Sequence, residues 1–156
     1  MRAVLSLILA LALAIPALAQ EDDPEEPLQT DAAEEAEPGL LVMDASGLTL
    51  EDFRWIARPI VVFADTPRDP RFQDQIDLLL ARPGPLIERD VVVITDADPD
   101  ARSDARTTLR PRGFSMVILQ RDGAVALRKP TPWDVREITR AIDNLPMRID
   151  EMRNAQ

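Results

Sequence analysis

The chain has 156 residues, a net charge of −10 at pH 7, and neither cysteine nor histidine. These absences exclude thiol exchange, disulfide crosslinks, zinc binding through imidazole or thiolate, and a Ser-His-Asp triad. The acidic balance also disfavours nucleic acid as a partner, because binding it requires a basic surface that displaces counterions.

The first nineteen residues have the pattern of a signal peptide. Arg2 supplies the positive charge, Ala3 to Ile15 form an apolar run interrupted only by Ser6, and Pro16-Ala17-Leu18-Ala19 provides a cleavage sequence with small residues. The run is shorter than the roughly 17 to 25 residues that a membrane-spanning helix needs. We therefore expect residues 1–19 to be removed, which leaves a secreted, periplasmic protein without a membrane span.

Residues 20–38 form a strongly acidic segment. They contain nine of the 28 acidic residues of the chain and no basic residue. Such a segment has too little apolar surface to offset the entropy of ordering, so we predict a disordered acidic leader. Its role is either that of a solvated tether or that of a tail that binds cations or a basic partner. Residues 39–156 have the size of one domain.

Strand and helix signals alternate through this domain. Runs of β-branched residues predict buried strands, and apolar residues with helical spacing behind a capping residue or proline predict helices. Arg121-Asp122-Gly123 predicts a tight hairpin. The predicted elements are a short helix at 49–55, a strand at 60–64, a helix at 70–80, a strand at 91–94, a polar helix at 98–109, strands at 115–119 and 124–128, and a final helix that is capped by Thr131 and ended by Pro146.

This order predicts an α/β fold in which helices flank a central four-stranded mixed sheet, the thioredoxin-like plan. The chain also carries the sequence segments of a known family at 50–55, 58–64, 89–93, 113–114, 121–123, 143–148 and 151–153. On these segments it resembles an uncharacterised family of exported bacterial proteins, a domain of unknown function that is regarded as thioredoxin-like. The resemblance implies a fold and a compartment but no known reaction.

The redox positions of thioredoxins are changed in this sequence. The loop between the first main strand and its helix holds a Cys-x-x-Cys pair in thioredoxins, whereas here it reads Asp65-Thr66-Pro67-Arg68-Asp69-Pro70-Arg71. No proline precedes the third strand near Phe114-Ser115, where thioredoxins have a cis-proline. We therefore predict a binding or accessory module of the cell envelope without redox chemistry. The alternatives are an enzyme that uses carboxylates and arginine, and a weak acidic cation-binding protein.

The candidate binding residues are Thr66, Arg68, Arg71 and Phe114. If a helix begins near Pro70, its unpaired amides and the two arginines favour an acidic ligand or the carboxylate of an unknown envelope protein. The alternative is that Asp69 caps these amides and occupies the position itself.

A weak metal motif follows the second main strand. Asp96, Asp98, Asp100 and Asp104 occupy positions 1, 3, 5 and 9 of a calcium-loop register, but the turn glycine and the bidentate glutamate of that loop are absent. The carboxylates are thus either weak calcium ligands or helix caps, and no other cofactor is expected.

Two further patterns concern arginine and tryptophan. Arg102, Arg106 and Arg110 are spaced by four, so they are expected to share one helical face that is either solvated or a docking site. Trp55 and Trp133 each adjoin a core element, and we expect both to pack against it.

The absence of sulfur chemistry gives a direct prediction. Because the chain has no cysteine, the purified protein is expected to show no disulfide reductase or peroxidase turnover above a boiled control. Reproducible turnover by the pure protein in an insulin-reduction or peroxide-consumption assay would contradict this.

Overall fold

A mixed sheet of five strands forms the centre of the protein, with spatial order β1-β3-β2-β4-β5. The computed structural model describes residues 39–155, so the predicted signal peptide (1–19) and acidic leader (20–38) lie outside the described residues. In this part of the chain, no helix is long and apolar enough to cross a membrane. The elements are β1 (Val42–Asp44), a 3-10 helix (Leu50–Phe53), β2 (Arg58–Phe63), α1 (Pro70–Leu80), α2 (Gly84–Ile87), β3 (Val91–Asp96), a second 3-10 helix (Pro99–Ala101), α3 (Asp104–Leu109), β4 (Ser115–Leu119), β5 (Val125–Lys129), α4 (Val135–Asp143) and α5 (Pro146–Asn154).

Strand β2 lies in the middle of the sheet and is buried along its whole length. It runs parallel to β3 and antiparallel to β4, while β1 adds to the outer edge of β3 and β5 to that of β4. Alternate side chains enter two cores. One core lies under α1, α2 and α4, and the other under α3 and the first 3-10 helix. A continuous β-branched run predicts this burial on both faces.

The four predicted strands are present, and β1 is a fifth that the sequence analysis missed. It has only three residues, two of them exposed, so it lacks the apolar run that identifies a strand. The final helix also differs from the prediction. Its N-cap is Asp134 and not Thr131, and Asp134 forms a capping box with Glu137. Pro146 begins α5, because proline fits the first turn, where its missing N–H is not needed.

The polar helix predicted at 98–109 is interrupted. Pro99–Ala101 form a 3-10 turn, Arg102 adopts a left-handed conformation with φ 47°, and α3 begins after the N-cap Ser103. The expected stripe of Arg102, Arg106 and Arg110 therefore does not form, since the helical spacing breaks at its first member.

The two tryptophans have different environments. Trp133 packs against the core as expected, and its backbone N–H and C=O bond to the side chain of the buried Gln75. The expectation that Trp55 packs is wrong, because 64% of this residue is exposed. Its backbone has φ 65°, which turns it out of the path between the 3-10 helix and β2.

Helix α5 has no fully buried residue, and ion pairs connect it to the sheet. Arg58, the first residue of β2, is 1% exposed and donates to both oxygens of Glu151, at 2.5 and 2.6 Å. Arg148 donates to the same carboxylate at 3.2 Å. Burial raises the pKa of Glu151, but the hydrogen bonds from Arg58 and Arg148 outweigh it and hold the pKa below its ordinary value of 4.5.

This ion pair predicts a stability difference between two neighbouring carboxyls of α5. Removing one partner of a buried pair leaves an uncompensated charge and costs about 3–5 kcal/mol. Glu151 is 25% exposed. We therefore expect Glu151→Gln to lower the free energy of unfolding in urea by about 3 kcal/mol, the low end of that range.

Asp150→Asn is the matched control, because Asp150 forms an exposed pair with Arg153 on the same helix. Its effect is expected to stay below about 1 kcal/mol.

The ion pair also predicts a pH dependence. The contribution of Glu151 to stability is present above its unfolded-state pKa of 4.5 and is lost as the pH falls through the lower folded-state pKa. The difference in free energy of unfolding between wild type and Glu151→Gln should therefore disappear at that pH. Equal effects of the two substitutions, or a difference that stays constant with pH, would contradict this account of α5.

Candidate functional site

The loop after β2 lies where thioredoxins carry their cysteines. In this chain, the start of the helix that follows the loop is capped by a side chain of the loop itself. Asp69 caps α1 by accepting from the Arg71 backbone N–H at 2.9 Å, and it also pairs with the Arg71 guanidinium at 2.8 Å. The hydrogen bond from Arg71 lowers the pKa of Asp69, so this carboxyl is ionised near neutral pH. Asp69 therefore occupies the start of α1, which is the second of the two alternatives that the sequence allowed.

The structure joins two of the four predicted binding residues. The Arg71 guanidinium lies over the ring of Phe114, 5.4 Å from its centroid, and Phe114 is nearly buried. Thr66 is engaged locally, because its hydroxyl accepts from the Arg68 backbone N–H at 3.3 Å. Phe114 thus contacts the loop through Arg71 and also lines a cavity.

That cavity has a volume of about 500 Å³ and is here called the arginine pocket. Its charged lining residues are Arg110, Arg112 and Arg128. Its remaining walls are provided by Leu109, Phe114, Ser115 and Pro130.

The charge of the arginine pocket is not neutralised by the described residues around it. No carboxylate lines the pocket, and none of its three arginines forms a salt bridge with any residue in the range 39–155. Arg128 donates to the Leu109 carbonyl at 2.8 Å, which fixes one guanidinium against the end of α3. Such a concentration of unpaired guanidinium groups attracts anions.

The backbone that presents these arginines is locally unfavourable. Arg110 follows α3 in a left-handed conformation with φ 49°, a position where glycine or asparagine is preferred. A residue with a Cβ atom in this conformation costs about 1–2 kcal/mol. Gly113, also with positive φ, then turns the chain into β4. Non-glycine residues in such strained conformations cluster at ligand sites and active sites.

Arg106, the middle member of the expected arginine stripe, has a structural role. It pairs with the buried Asp96 at 2.7 Å and donates to the Ala64 carbonyl at 2.8 Å, so it ties the ends of β2 and β3 to α3. Ser103 donates to the other oxygen of Asp96. The three arginines of the stripe thus have different tasks: Arg102 caps the 3-10 turn, Arg106 is an internal tie, and Arg110 lines the pocket.

Three of the four carboxylates of the calcium register accept hydrogen bonds at separate places, and the fourth, Asp100, is exposed. Asp96 is held by Arg106 and Ser103, Asp98 caps the 3-10 turn by accepting from the Asp100 N–H at 3.0 Å, and Asp104 accepts from the Leu50 N–H at 2.8 Å. Within residues 39–155, no three carboxylates are grouped so that they could hold a metal ion. Weak calcium binding stays a prediction.

Sequence reasoning missed Arg112 and Arg128 as site residues. Arg112 lies two residues before Phe114, which was the only local signal, and Arg128 lies on an edge strand with no motif around it. They meet because β5 pairs with β4 and so places Arg128 beside the chain that enters β4. This pairing is a tertiary property that residue spacing does not reveal.

Comparison with known proteins identifies the fold and the family. No curated protein matches the chain. The reduced form of a 2-Cys peroxiredoxin from Plasmodium vivax resembles it with a TM-score of 0.52 and 13% identity, over 67% of this chain and 84% of that one. Reduced desulfothioredoxin from Desulfovibrio vulgaris Hildenborough gives a TM-score of 0.48 and 20% identity, over 69% of this chain and 100% of that one.

The likeness to the peroxiredoxin establishes the fold alone, which is thioredoxin-like. The family described as a domain of unknown function, DUF4174, matches residues 49–151, nearly all of the described domain. The chain therefore belongs to the DUF4174 family.

Proposed function

We propose that this protein is a binding module without thiol redox chemistry, and that it holds a carboxylate-bearing ligand or an acidic segment of a partner in the arginine pocket. The observation that carries the proposal is the convergence of Arg110, Arg112 and Arg128 on one cavity that no carboxylate of residues 39–155 lines. Guanidinium groups bind carboxylates in a bidentate manner, with charge-assisted hydrogen bonds that are about twice as strong as neutral ones.

The lining and volume of the pocket suit an anion that also has an apolar part. Leu109, Phe114 and Pro130 offer apolar surface next to the guanidinium groups. A volume of about 500 Å³ falls in the range of small-ligand sites. A carboxylate attached to a hydrophobic side chain or chain end would use both features, whereas a small inorganic anion would use only the charge.

The position of the pocket in the fold supports the same proposal. Ser115, at the start of β4, pairs with Phe63, the last residue of β2, so the pocket adjoins the carboxyl end of the parallel strands. Open α/β sheets collect ligands at this end. The proposed site thus lies at the end of the sheet where such folds usually bind ligands, although the loop after β2 has no cysteine.

The cellular setting is proposed from the sequence. The signal-peptide pattern of residues 1–19 favours export to the periplasm, where the partner would be an acidic envelope protein or ligand. An enzyme that uses carboxylates and arginine has less support, since the ionised Asp69 and the buried Asp96 are each engaged by an arginine. Weak calcium binding, with a dissociation constant of about 0.1 to 1 mM, is the remaining alternative.

The proposal is tested by binding of a fluorescent tetraglutamate peptide, followed by anisotropy at low and physiological salt. Replacing Arg112 and Arg128 together by glutamate is expected to weaken binding at least about a hundredfold, because each charge-assisted hydrogen bond contributes about 1.5–3 kcal/mol. The single substitution Arg112→Gln should weaken it about tenfold without placing a negative charge in the pocket.

Arg136→Glu with Arg140→Glu is the matched control. Both arginines lie on α4, away from the pocket lining, and the pair produces the same change in net charge. A second pair, Arg68→Glu with Arg71→Glu, tests whether the loop after β2 contributes. Equal weakening by the α4 pair and the pocket pair would show that the peptide responds only to net charge, and that the pocket is not the site.

A further inference from the structure

A second concavity lies at the end of the sheet opposite the arginine pocket. It is formed by the turn that carries Trp55, the β4–β5 hairpin and α5. Its volume is about 690 Å³, and we call it the Trp55 groove. Its lining includes Trp55, Gln120, Arg121, Met147, Asp150 and Asn154. It shares no lining residue with the arginine pocket, so a ligand of this groove is independent of the anion proposed for that pocket.

The indole at the rim of this groove is held in place by a strained backbone. Trp55 has φ 65°, which is exceptional for a bulky residue, and 64% of it is exposed. Its backbone N–H donates to the Arg121 carbonyl at 2.6 Å, and the Arg121 guanidinium donates back to the Trp55 carbonyl at 2.8 Å. Residues held in such sparsely populated backbone conformations cluster at ligand sites and active sites.

The charged groups of the Trp55 groove are already paired. Arg121 contacts Asp90 at 3.3 Å, Asp150 contacts Arg153 at 3.3 Å, and Glu151 is bound by Arg58. An ionic ligand would therefore gain little from this groove. In this respect the groove is the reverse of the arginine pocket.

The amide groups of the groove are free to bind a ligand. The side chains of Gln120 and Asn154 make no hydrogen bond to any other residue between 39 and 155. Each amide offers two donors and one acceptor. Together with the carboxylates of Asp150 and Glu151, whose remaining lone pairs accept, they form a lining that donates and accepts hydrogen bonds and whose charges are paired with neighbouring residues.

We propose that the Trp55 groove binds a neutral carbohydrate. A sugar ring has an apolar C–H face, which the indole can stack against, and hydroxyl groups at its rim that both donate and accept hydrogen bonds. The groove combines an exposed aromatic face, apolar contact from Met147 and uncommitted amides, which is the chemistry that such a ligand requires. Its volume accommodates a short oligosaccharide.

The experiment titrates the isotopically labelled protein with three neutral probes, cellotetraose, chitotetraose and maltotetraose, and follows the two indole N–H resonances by NMR. At least one probe is expected to move the Trp55 resonance in a saturable manner. The Trp133 resonance is the internal reference, because its ring is covered by Lys129 at 4.0 Å and lies outside the groove.

Affinities of the variants are then measured by calorimetry with the probe that binds. Trp55→Ala is expected to weaken binding about tenfold or more through the loss of the aromatic contact. Gln120→Ala with Asn154→Ala should weaken it to a similar degree through the lost hydrogen bonds. Ile56→Ala is the matched control, since Ile56 is 69% exposed beside Trp55 but does not line the groove.

Two results would overturn the proposal. One is that none of the three tetrasaccharides moves the Trp55 resonance at millimolar concentration. The other is that binding occurs but Trp55→Ala and Ile56→Ala weaken it equally, which would place the sugar outside the groove.

Discussion

The structure depends on the full burial of β2, whose two ends are closed by arginine side chains. Buried backbone groups must be hydrogen-bonded, and a strand with no exposed residue cannot use water at its ends. Arg58 begins the strand and bonds to the Arg89 carbonyl and to Glu151. Arg106 reaches the Ala64 carbonyl, directly after the strand, while paired with Asp96. One arginine thus attaches α5 and the other attaches α3, and a core without disulfides gains two internal ties.

Arg58 and Arg106 lie at opposite ends of β2, and the surfaces at these two ends differ in chemistry. At the carboxyl end of the parallel strands, the charges nearest the sheet are neutralised, and the unpaired arginines lie beside them in the arginine pocket. At the other end, Arg58 pairs with Glu151 and Arg121 pairs with Asp90, and an exposed indole lies beside a groove whose charges are paired. The thioredoxin-like sheet therefore has an arginine-rich pocket at one end, proposed for an anion, and a groove with paired charges at the other, proposed for a neutral sugar.

Sequence reasoning reached the sheet and α1 because their signals are local: long β-branched runs, and an aspartate and proline before a periodic apolar face. It failed where a single residue changes the chain direction. Arg102 and Trp55 have positive φ without being glycine, so spacing across them is not helical. It also placed Pro146 as a terminator, although proline is compatible with a helix start. The arginine pocket was out of reach because Arg112 and Arg128 meet only through the pairing of β4 with β5.

The central claim is that the arginine pocket, and not the loop after β2, is the anion-binding end of this protein. It is tested most directly by NMR of the arginine Nε–H groups during titration with an unlabelled acidic peptide, with each resonance assigned by Arg→Lys substitution. The account predicts that the resonances of Arg110, Arg112 and Arg128 shift together with one affinity, while those of the ion-paired Arg58 and Arg106 do not move. Shifts confined to Arg68 and Arg71, or spread evenly over exposed arginines, would contradict it.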